Sequence, residues 1–185
     1  MKKQTSIFLV LLVTLITSAC TLLVAKNVPG KKQKTIPKTF CGSYVIVTGN
    51  EIYSFLDDAQ IEVKITEEGI ETNDPEKGPS FSKLGDSLYW SKVGKDAYLS
   101  MGEGKFSVYK MVKSGSDIIM SPVAAKEGTT KEQLQKYFKD VELEGEVNEM
   151  TGESYLVTID DKKLKSFFKS DIFTGDEFKL VAKKN

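Results

Sequence analysis

Short apolar runs separated by turn residues dominate the middle of the chain. From residue 85 to residue 117 the turn-forming sequences recur roughly every 8–12 residues, which is the spacing of strands in an antiparallel meander. Connections this short force neighbouring strands to pair antiparallel. The pattern therefore predicts four consecutive paired strands, at Ser87–Val93, Ala97–Met101, Lys105–Lys113 and Asp117–Val123.

Further strands are predicted on both sides of this meander. Residues 59–66 place Ile61, Val63 and Ile65 on one face and polar residues on the other, so one face of this strand is expected to be buried. Residues 40–48 are apolar on both faces, which is typical of a strand covered on both sides. The other predicted strands are the short runs 70–72, 141–147, 154–159 and 177–183.

Two segments in the C-terminal half have helical spacing. Thr129 and Thr130 cap a run in which Leu134, Tyr137 and Phe138 share one face. A second run follows the aspartates at 160 and 161 and has apolar residues at 164, 167 and 168. The predicted fold class is therefore α+β and β-rich. An antiparallel meander forms a curled sheet or partial barrel, and two short helices cover an end or a face.

The first residues have the pattern of a secretory signal. Lys2 and Lys3 precede the apolar run Ile7–Ile16, and small residues follow it. A short basic region, about ten apolar residues and small residues before a cleavage point define a signal peptide. The pattern predicts such a signal peptide over residues 1–19.

The sequence Ser18-Ala19-Cys20 resembles the lipobox of bacterial lipoproteins, in which small residues precede an invariant cysteine. The resemblance implies that Cys20 carries a lipid and becomes the mature N-terminus. The strand and helix order of the C-terminal part is also similar to that of small uncharacterised bacterial lipoproteins of no known activity. The resemblance to bacterial lipoproteins implies a membrane-anchored protein on the periplasmic or extracellular face of the cell envelope.

An uncleaved anchor is the alternative for the same segment. Residues 7–25 contain no charge, glycine or proline, and 19 residues span roughly 30 Å of hydrocarbon as a helix. Such a single-pass protein would keep its domain in the cytoplasm, because five lysines follow the run and only two precede it. In both cases the lipid bilayer is a partner, through Cys20 or through residues 7–25.

Charge divides the rest of the chain into a tether and a domain. Residues 20–38 contain five lysines, two prolines and no acid, which predicts a solvated tether before a single domain at 39–185. From Thr39 onward 19 lysines face 26 acids, a net charge of −7. A domain this acidic repels phosphate backbones, so no nucleic-acid binding is expected.

Residue types limit the chemistry that the domain can perform. The chain has neither histidine nor arginine, which removes serine–histidine and cysteine–histidine catalysis and the commonest metal ligand. Cys41 lies in a predicted apolar strand and is expected to be a small core residue. Clusters of acidic residues occur at Asp57-Asp58, at the glutamates 142, 144, 146 and 149, at Asp160-Asp161 and at the acids 171, 176 and 177. None of these clusters has the spacing of a calcium-binding loop, so neither a metal nor a cofactor is expected.

Four aromatic residues of the meander are the remaining candidates for ligand contact: Tyr89, Trp90, Phe106 and Tyr109. Such residues either fill the core, which is favoured, or line a barrel mouth that binds a small apolar ligand. We therefore expect a non-enzymatic envelope lipoprotein that binds a protein partner or a small apolar ligand. A structural or assembly accessory of the envelope is the second hypothesis, and a carboxylate-based hydrolase is the third.

Overall fold

β-Strands make up most of the fold. A computed structural model describes residues 20–47, 61–74, 78–144 and 154–183. This part of the chain contains helices α1 (Lys131–Leu134) and α2 (Asp161–Phe167) and a 3₁₀ turn at Lys38–Phe40. Its strands are β1 (Cys20–Ala25), β2 (Lys31–Lys32), β3 (Gly42–Val47), β4 (Glu62–Ile65), β5 (Gly69–Asp74), β6 (Gly78–Lys83), β7 (Leu88–Val93), β8 (Asp96–Met101), β9 (Ser107–Ser114), β10 (Asp117–Pro122), β11 (Ala124–Lys126), β12 (Phe138–Leu143), β13 (Ser154–Ile159) and β14 (Phe178–Ala182).

Ten strands form one strongly curled antiparallel sheet, which we call the large sheet. Their order is β2-β7-β8-β9-β10-β14-β3-β4-β5-β6. Strands β7 to β10 are neighbours in chain order, and the register sets Trp90 opposite Leu99 and Leu99 opposite Tyr109. The predicted meander is confirmed, and so is a β-rich fold with a curled, half-barrel sheet and two short helices.

The curl follows from the connection between β6 and β7. Strand β6 lies at one end of the sheet order, and β7 lies at the other with only the two-residue β2 beyond it. Residues 84–87 alone join them. Gly85 turns the chain there at a φ of 96°, in the region that favours glycine. Because so short a link joins the two ends, the sheet has to bend round until they approach each other.

Residues 31–40 bridge these two ends. The Gln33 N–H donates to the carbonyl oxygen of Trp90 on β7 at 2.8 Å. Three residues later, the Ile36 N–H donates to the carbonyl oxygen of Glu67, in the turn between β4 and β5, at 3.0 Å. The segment therefore links the two sides of the curl by its backbone.

Side chains of the same segment complete the core. Ile36 is fully buried, and Phe40 packs edge-on against Trp90 with ring centroids 4.8 Å apart. The prediction of a solvated tether over residues 20–38 is therefore wrong. The lysines of the segment remain at the surface, but the few apolar residues among them bury enough area to hold it in place.

Four further strands form a small sheet in the order β11-β1-β13-β12. Strand β1 lies inside it, antiparallel to β11 and parallel to β13. Leu23 of β1 is 2% exposed, and Ala25 exchanges two backbone hydrogen bonds of 2.8 Å with Phe106, directly before β9. Strand β1 is thus part of the fold and joins the two sheets.

The position of β1 also bears on the anchor alternative. The last six residues of the segment 7–25 are this strand, so they are not part of a helix. In the part of the chain that the structure describes, no helix is long and apolar enough to cross a bilayer. The predicted signal peptide, residues 1–19, lies outside the described residues.

Two hydrophobic cores lie on the two faces of the large sheet. The inner core fills the curl and includes Trp90, Leu99 and Tyr109. The outer core lies between the convex face, the small sheet and helix α2, and it includes Tyr98 and Phe167. Because side chains alternate along a strand, β7 to β9 send successive residues into the two cores.

The two helices begin where the sequence predicts them. Asp160 caps α2 by accepting a hydrogen bond from the Lys162 N–H at 3.1 Å. Thr130 caps α1 in a reciprocal capping box with Gln133. Helix α1 is shorter than predicted, however. It ends after about one turn because Phe138, expected on its apolar face, already begins strand β12.

Outside the meander, the structure has strands at the predicted runs 40–48, 59–66, 70–72, 154–159 and 177–183, whereas the sequence pattern does not predict β1, β2, β6 and β11. Ile61, Val63 and Ile65 are buried as expected. Strand β3 buries Tyr44 and Ile46, but its other face is only half-buried, so this strand is covered on one side rather than on both. Residues 145–153, where the predicted strand 141–147 ends, lie outside the described residues.

We predict that Ile36→Ala lowers the free energy of unfolding by about 2–4 kcal/mol, because it empties a fully buried site. Lys34→Ala, in the same lysine-rich segment but exposed, is expected to change it by less than about 0.5 kcal/mol. Urea unfolding of the domain measures both values. Equal, near-zero effects would show that residues 31–40 are a solvated tether after all.

Candidate functional site

Two of the four predicted ligand-contact aromatics lie in the inner core. Trp90 and Tyr109 are both fully buried there. The Trp90 ring is covered by Phe40, at a centroid distance of 4.8 Å. Both side chains therefore act as core residues of the curled sheet.

The other two aromatics lie on the convex face, in the outer core. Tyr89 and Phe106 pack edge to face with ring centroids 5.5 Å apart. The Tyr89 hydroxyl donates to the carbonyl oxygen of Asp86 at 2.7 Å, and the ammonium of Lys32 lies 4.4 Å from the centre of its ring. The structure thus brings Tyr89 and Phe106 together but places Trp90 on the other face of the sheet.

Three buried hydroxyl groups share one face of the adjacent strands β7 and β8. Ser91 is directly opposite Tyr98, and Ser100 lies two residues further along β8 on the same face. All three side chains are fully buried, and their hydroxyl oxygens have no hydrogen-bond partner within the described ranges. Buried polar groups are almost always paired, so this cluster is unusual. In the sequence, the one signal of this hydroxyl cluster is that Ser91 and Ser100 occur within the apolar runs 88–93 and 96–101.

Tyr98 is the largest member of this hydroxyl cluster. Burial raises the pKa of its phenol above the usual range, and the carboxylates of Asp96 and Asp161 raise it further. Its ring lies 6.2 Å from that of Phe168, after helix α2. The phenol therefore stays protonated at neutral pH, which makes it a hydrogen-bond donor rather than a base or nucleophile.

A pocket of about 180 Å³ lies on the face of β3 to β5. Two ion pairs contribute to its walls, Lys64 with Glu71 at 3.0 Å and Lys183 with Glu62. Ligand pockets are usually larger, about 300–1,000 Å³, and mainly apolar. A pocket this small, with its charges already paired, suits a few waters better than an apolar ligand.

Several residues of the acidic clusters cap a helix or form ion pairs. Asp160 caps helix α2, and hydrogen bonding from the Lys162 N–H holds its pKa below the usual range. The Ala182 N–H and Lys179 lower the pKa of Asp117 in the same way. Among residues 20–47, 61–74, 78–144 and 154–183, no three acids or cysteines come together as a metal site would require. The expected groups at 57–58, 146 and 149 lie outside these ranges.

Cys41 lies just before β3 rather than within a strand, and it is half-buried. Its Sγ lies 3.6 Å from the carbonyl oxygen of Pro37, which it can reach as a weak donor. Partial burial raises the pKa of its thiol, Glu67 raises it further, and Lys38 opposes them. The thiol is therefore largely protonated at neutral pH, unlike a catalytic cysteine.

Cys20 is the first residue of strand β1. Its backbone is opposite Lys126 of β11, and from Leu22 onward the strand also pairs with β13. The next residue, Thr21, is buried, and its hydroxyl donates to the carbonyl oxygen of Lys126 at 3.1 Å. The predicted lipid attachment point is therefore adjacent to the folded core, without a spacer.

We predict that Tyr98→Phe leaves the free energy of unfolding unchanged or raises it by up to about 1 kcal/mol, because a buried hydroxyl without a partner costs stability. Tyr44→Phe is the matched control: this buried hydroxyl donates to the carbonyl oxygen of Phe40 at 2.9 Å, and its loss is expected to cost about 1 kcal/mol. Urea unfolding compares the two variants. A loss above about 1 kcal/mol for Tyr98→Phe would mean that its hydroxyl is bound.

We predict that Cys41 reacts slowly with a disulfide reagent at pH 7 and faster as the pH rises, since only the thiolate attacks. Glu67→Gln removes a charge that raises the thiol pKa, so it is expected to speed the reaction at a given pH. Lys38→Gln is expected to slow it. The pH–rate profiles of both variants test this, and profiles that coincide with wild type would contradict it.

No protein-family model, curated protein or solved structure matches this chain. The described residues offer packed aromatic cores, paired surface charges and a cysteine at the edge of the fold. The function is therefore inferred from the chemistry of these residues alone.

Proposed function

We propose that this chain is a lipoprotein of the cell envelope, held at the membrane by a lipid on Cys20, whose β-rich domain is a non-enzymatic module that binds a protein partner. The observation that supports the proposal is that residues 20–25, directly after the lipobox-like sequence, are paired as strand β1 with both β11 and β13. The lipobox-like Ser18-Ala19-Cys20 places cleavage directly before this residue.

Cleavage at this point is compatible with the whole described fold. A mature chain that begins at Cys20 keeps strand β1, with buried Thr21, Leu23 and Ala25, and loses none of the strands in either sheet. A mature chain of this kind would therefore contain every strand that the structure describes.

A helical anchor fits the same segment less well. Strand β1 uses residues 20–25, which leaves the 13 residues 7–19 of the apolar run for a helix. Thirteen helical residues extend about 20 Å, short of the roughly 30 Å of a bilayer core. A helix over the full run would have to break the pairing of β1 with both β11 and β13.

A binding role is favoured over catalysis by the state of the acids. The described carboxylates with shifted pKa values, including those of Asp117 and Asp160, are shifted downward by hydrogen bonds. They are therefore ionised at neutral pH. A carboxylate-based hydrolase that uses an acid and a base needs one carboxyl group that stays protonated. The raised pKa values of the Tyr98 phenol and the Cys41 thiol keep these two groups protonated, so neither is a ready nucleophile.

A protein partner is favoured over a small apolar ligand. The aromatic residues expected to line a ligand cavity are packed in two separate cores, and the pocket on β3 to β5 is small and flanked by ion pairs. In contrast, Phe81 and Val112 remain about half exposed at the surface. Exposed apolar side chains on strands are usable contacts for another protein.

The test is to express wild type, Cys20→Ser and Cys41→Ser in a bacterium supplied with a clickable fatty acid. We predict that wild type and Cys41→Ser take up the label and lose residues 1–19, and that Cys20→Ser takes up none. Fluorescence on a gel and intact mass spectrometry measure the two effects. Unlabelled wild type that keeps its full-length mass in the membrane fraction would replace the lipid with an uncleaved anchor.

A further inference from the structure

Strand β1 determines which part of the domain would meet the membrane. Cys20 lies at one end of the small sheet, with the exposed Lys126 directly opposite it on β11. Antiparallel neighbours are about 5 Å apart at Cα. A lipid on Cys20 therefore brings Lys126 to the level of the lipid headgroups.

We propose that the domain docks directly on the bilayer through this end of the small sheet, in one preferred orientation. The docking surface, which we call the Cys20 end, consists of Lys126, Glu127, Leu143 and Glu144. The proposal rests on the proposed lipidation of Cys20. It adds that no flexible spacer separates the lipid from the fold.

Leu143 is the apolar member of the Cys20 end. It is opposite Tyr155 on β13, and Tyr155 is opposite Leu23 on β1. Leu143 therefore lies two strands across and three residues along from Cys20, about 10 Å in each direction. Its side chain is 51% exposed although it shares a face with the buried Tyr155. It thus extends the outer core towards the interface where acyl chains begin.

Ion pairs reduce the electrostatic cost of this approach. From Cys20 onward the chain carries 24 lysines and 26 acids, a net charge of −2, so an anionic leaflet repels it only weakly on average. On β12 and directly after it, however, Glu142 is paired with Lys26 at 3.0 Å and Glu144 is paired with Lys105. These pairs neutralise two carboxylates of the small sheet, and Lys126 beside the lipid balances the charge of the adjacent Glu127.

Val112 provides a matched control far from the Cys20 end. It is 41% exposed and lies opposite Ile119 on β10. Val112 and Ile119 belong to the large sheet, whereas Lys126, seven residues after Ile119, belongs to the small sheet. A membrane docked at the Cys20 end therefore leaves Val112 in water.

The experiment places a fluorescent probe at Leu143→Cys or Val112→Cys, each combined with Cys41→Ser so that one thiol reacts. The lipidated proteins are reconstituted in phosphatidylcholine vesicles containing some phosphatidylglycerol and a lipid quencher at the headgroup level. We predict several-fold stronger quenching at Leu143 than at Val112. Lys126→Cys, at another exposed position, gives the same comparison if Leu143→Cys does not fold.

A linker variant tests the absence of a spacer. About ten glycine and serine residues inserted after Cys20 let the domain move by about 17 Å. This variant is expected to stay on the vesicles while the difference in quenching falls away. Equal quenching at both positions in the original chain, with the protein still bound, would overturn the docking and leave the lipidation intact. Failure to float with the vesicles would overturn both proposals.

Discussion

The pairing of strand β1 is the interaction on which the rest of the structure depends. Its two neighbours, β11 and β13, come from much later in the chain, and Thr21 is 105 residues away from its hydrogen-bonding partner Lys126. Without β1 these two strands have no neighbour between them, and the small sheet loses its centre. The hydrogen bonds between Ala25 and Phe106 then connect this sheet to the large one. Strand β1 is thus required to assemble the small sheet, whose other strands come from much later in the chain.

Residues 31–40, which follow β1, hold the two ends of the large sheet together. The short turn between β6 and β7 brings the ends of the sheet near each other, and Gln33 and Ile36 link them through backbone hydrogen bonds. Burial of Ile36 and the contact between Phe40 and Trp90 then close the inner core. Residues 20–40 are therefore a structural strap across both sheets, and their lysines face water from its outer side.

This arrangement connects stability with the proposed function. A lipid on a flexible tail allows a domain to turn freely above the membrane, whereas a lipid on the first residue of a paired strand restricts it. In the proposed orientation the Cys20 end of the small sheet meets the bilayer, and the exposed Val112 of the large sheet stays in water. Buried hydroxyls such as those of Ser91 and Tyr98 lie between the two layers, where they have no access to either surface.

The sequence by itself determined the features that depend on local spacing. Alternating apolar residues and short turns defined the meander β7 to β10, and the side chains of Thr130 and Asp160 marked the helix starts, because caps and hairpins involve residues close in the chain. Tertiary structure alone decided the fate of residues 20–40 and the separation of Trp90 from Tyr89 and Phe106 into two cores. Composition suggested a tether at 26–38, where five lysines accompany two apolar residues, Val28 and Ile36. Ile36 is nevertheless buried, as are Thr21, Leu23 and Ala25 of β1. Strand β1 finds its partners more than a hundred residues away, and the segment after it finds them at Glu67 and Trp90, so local patterns do not contain these contacts.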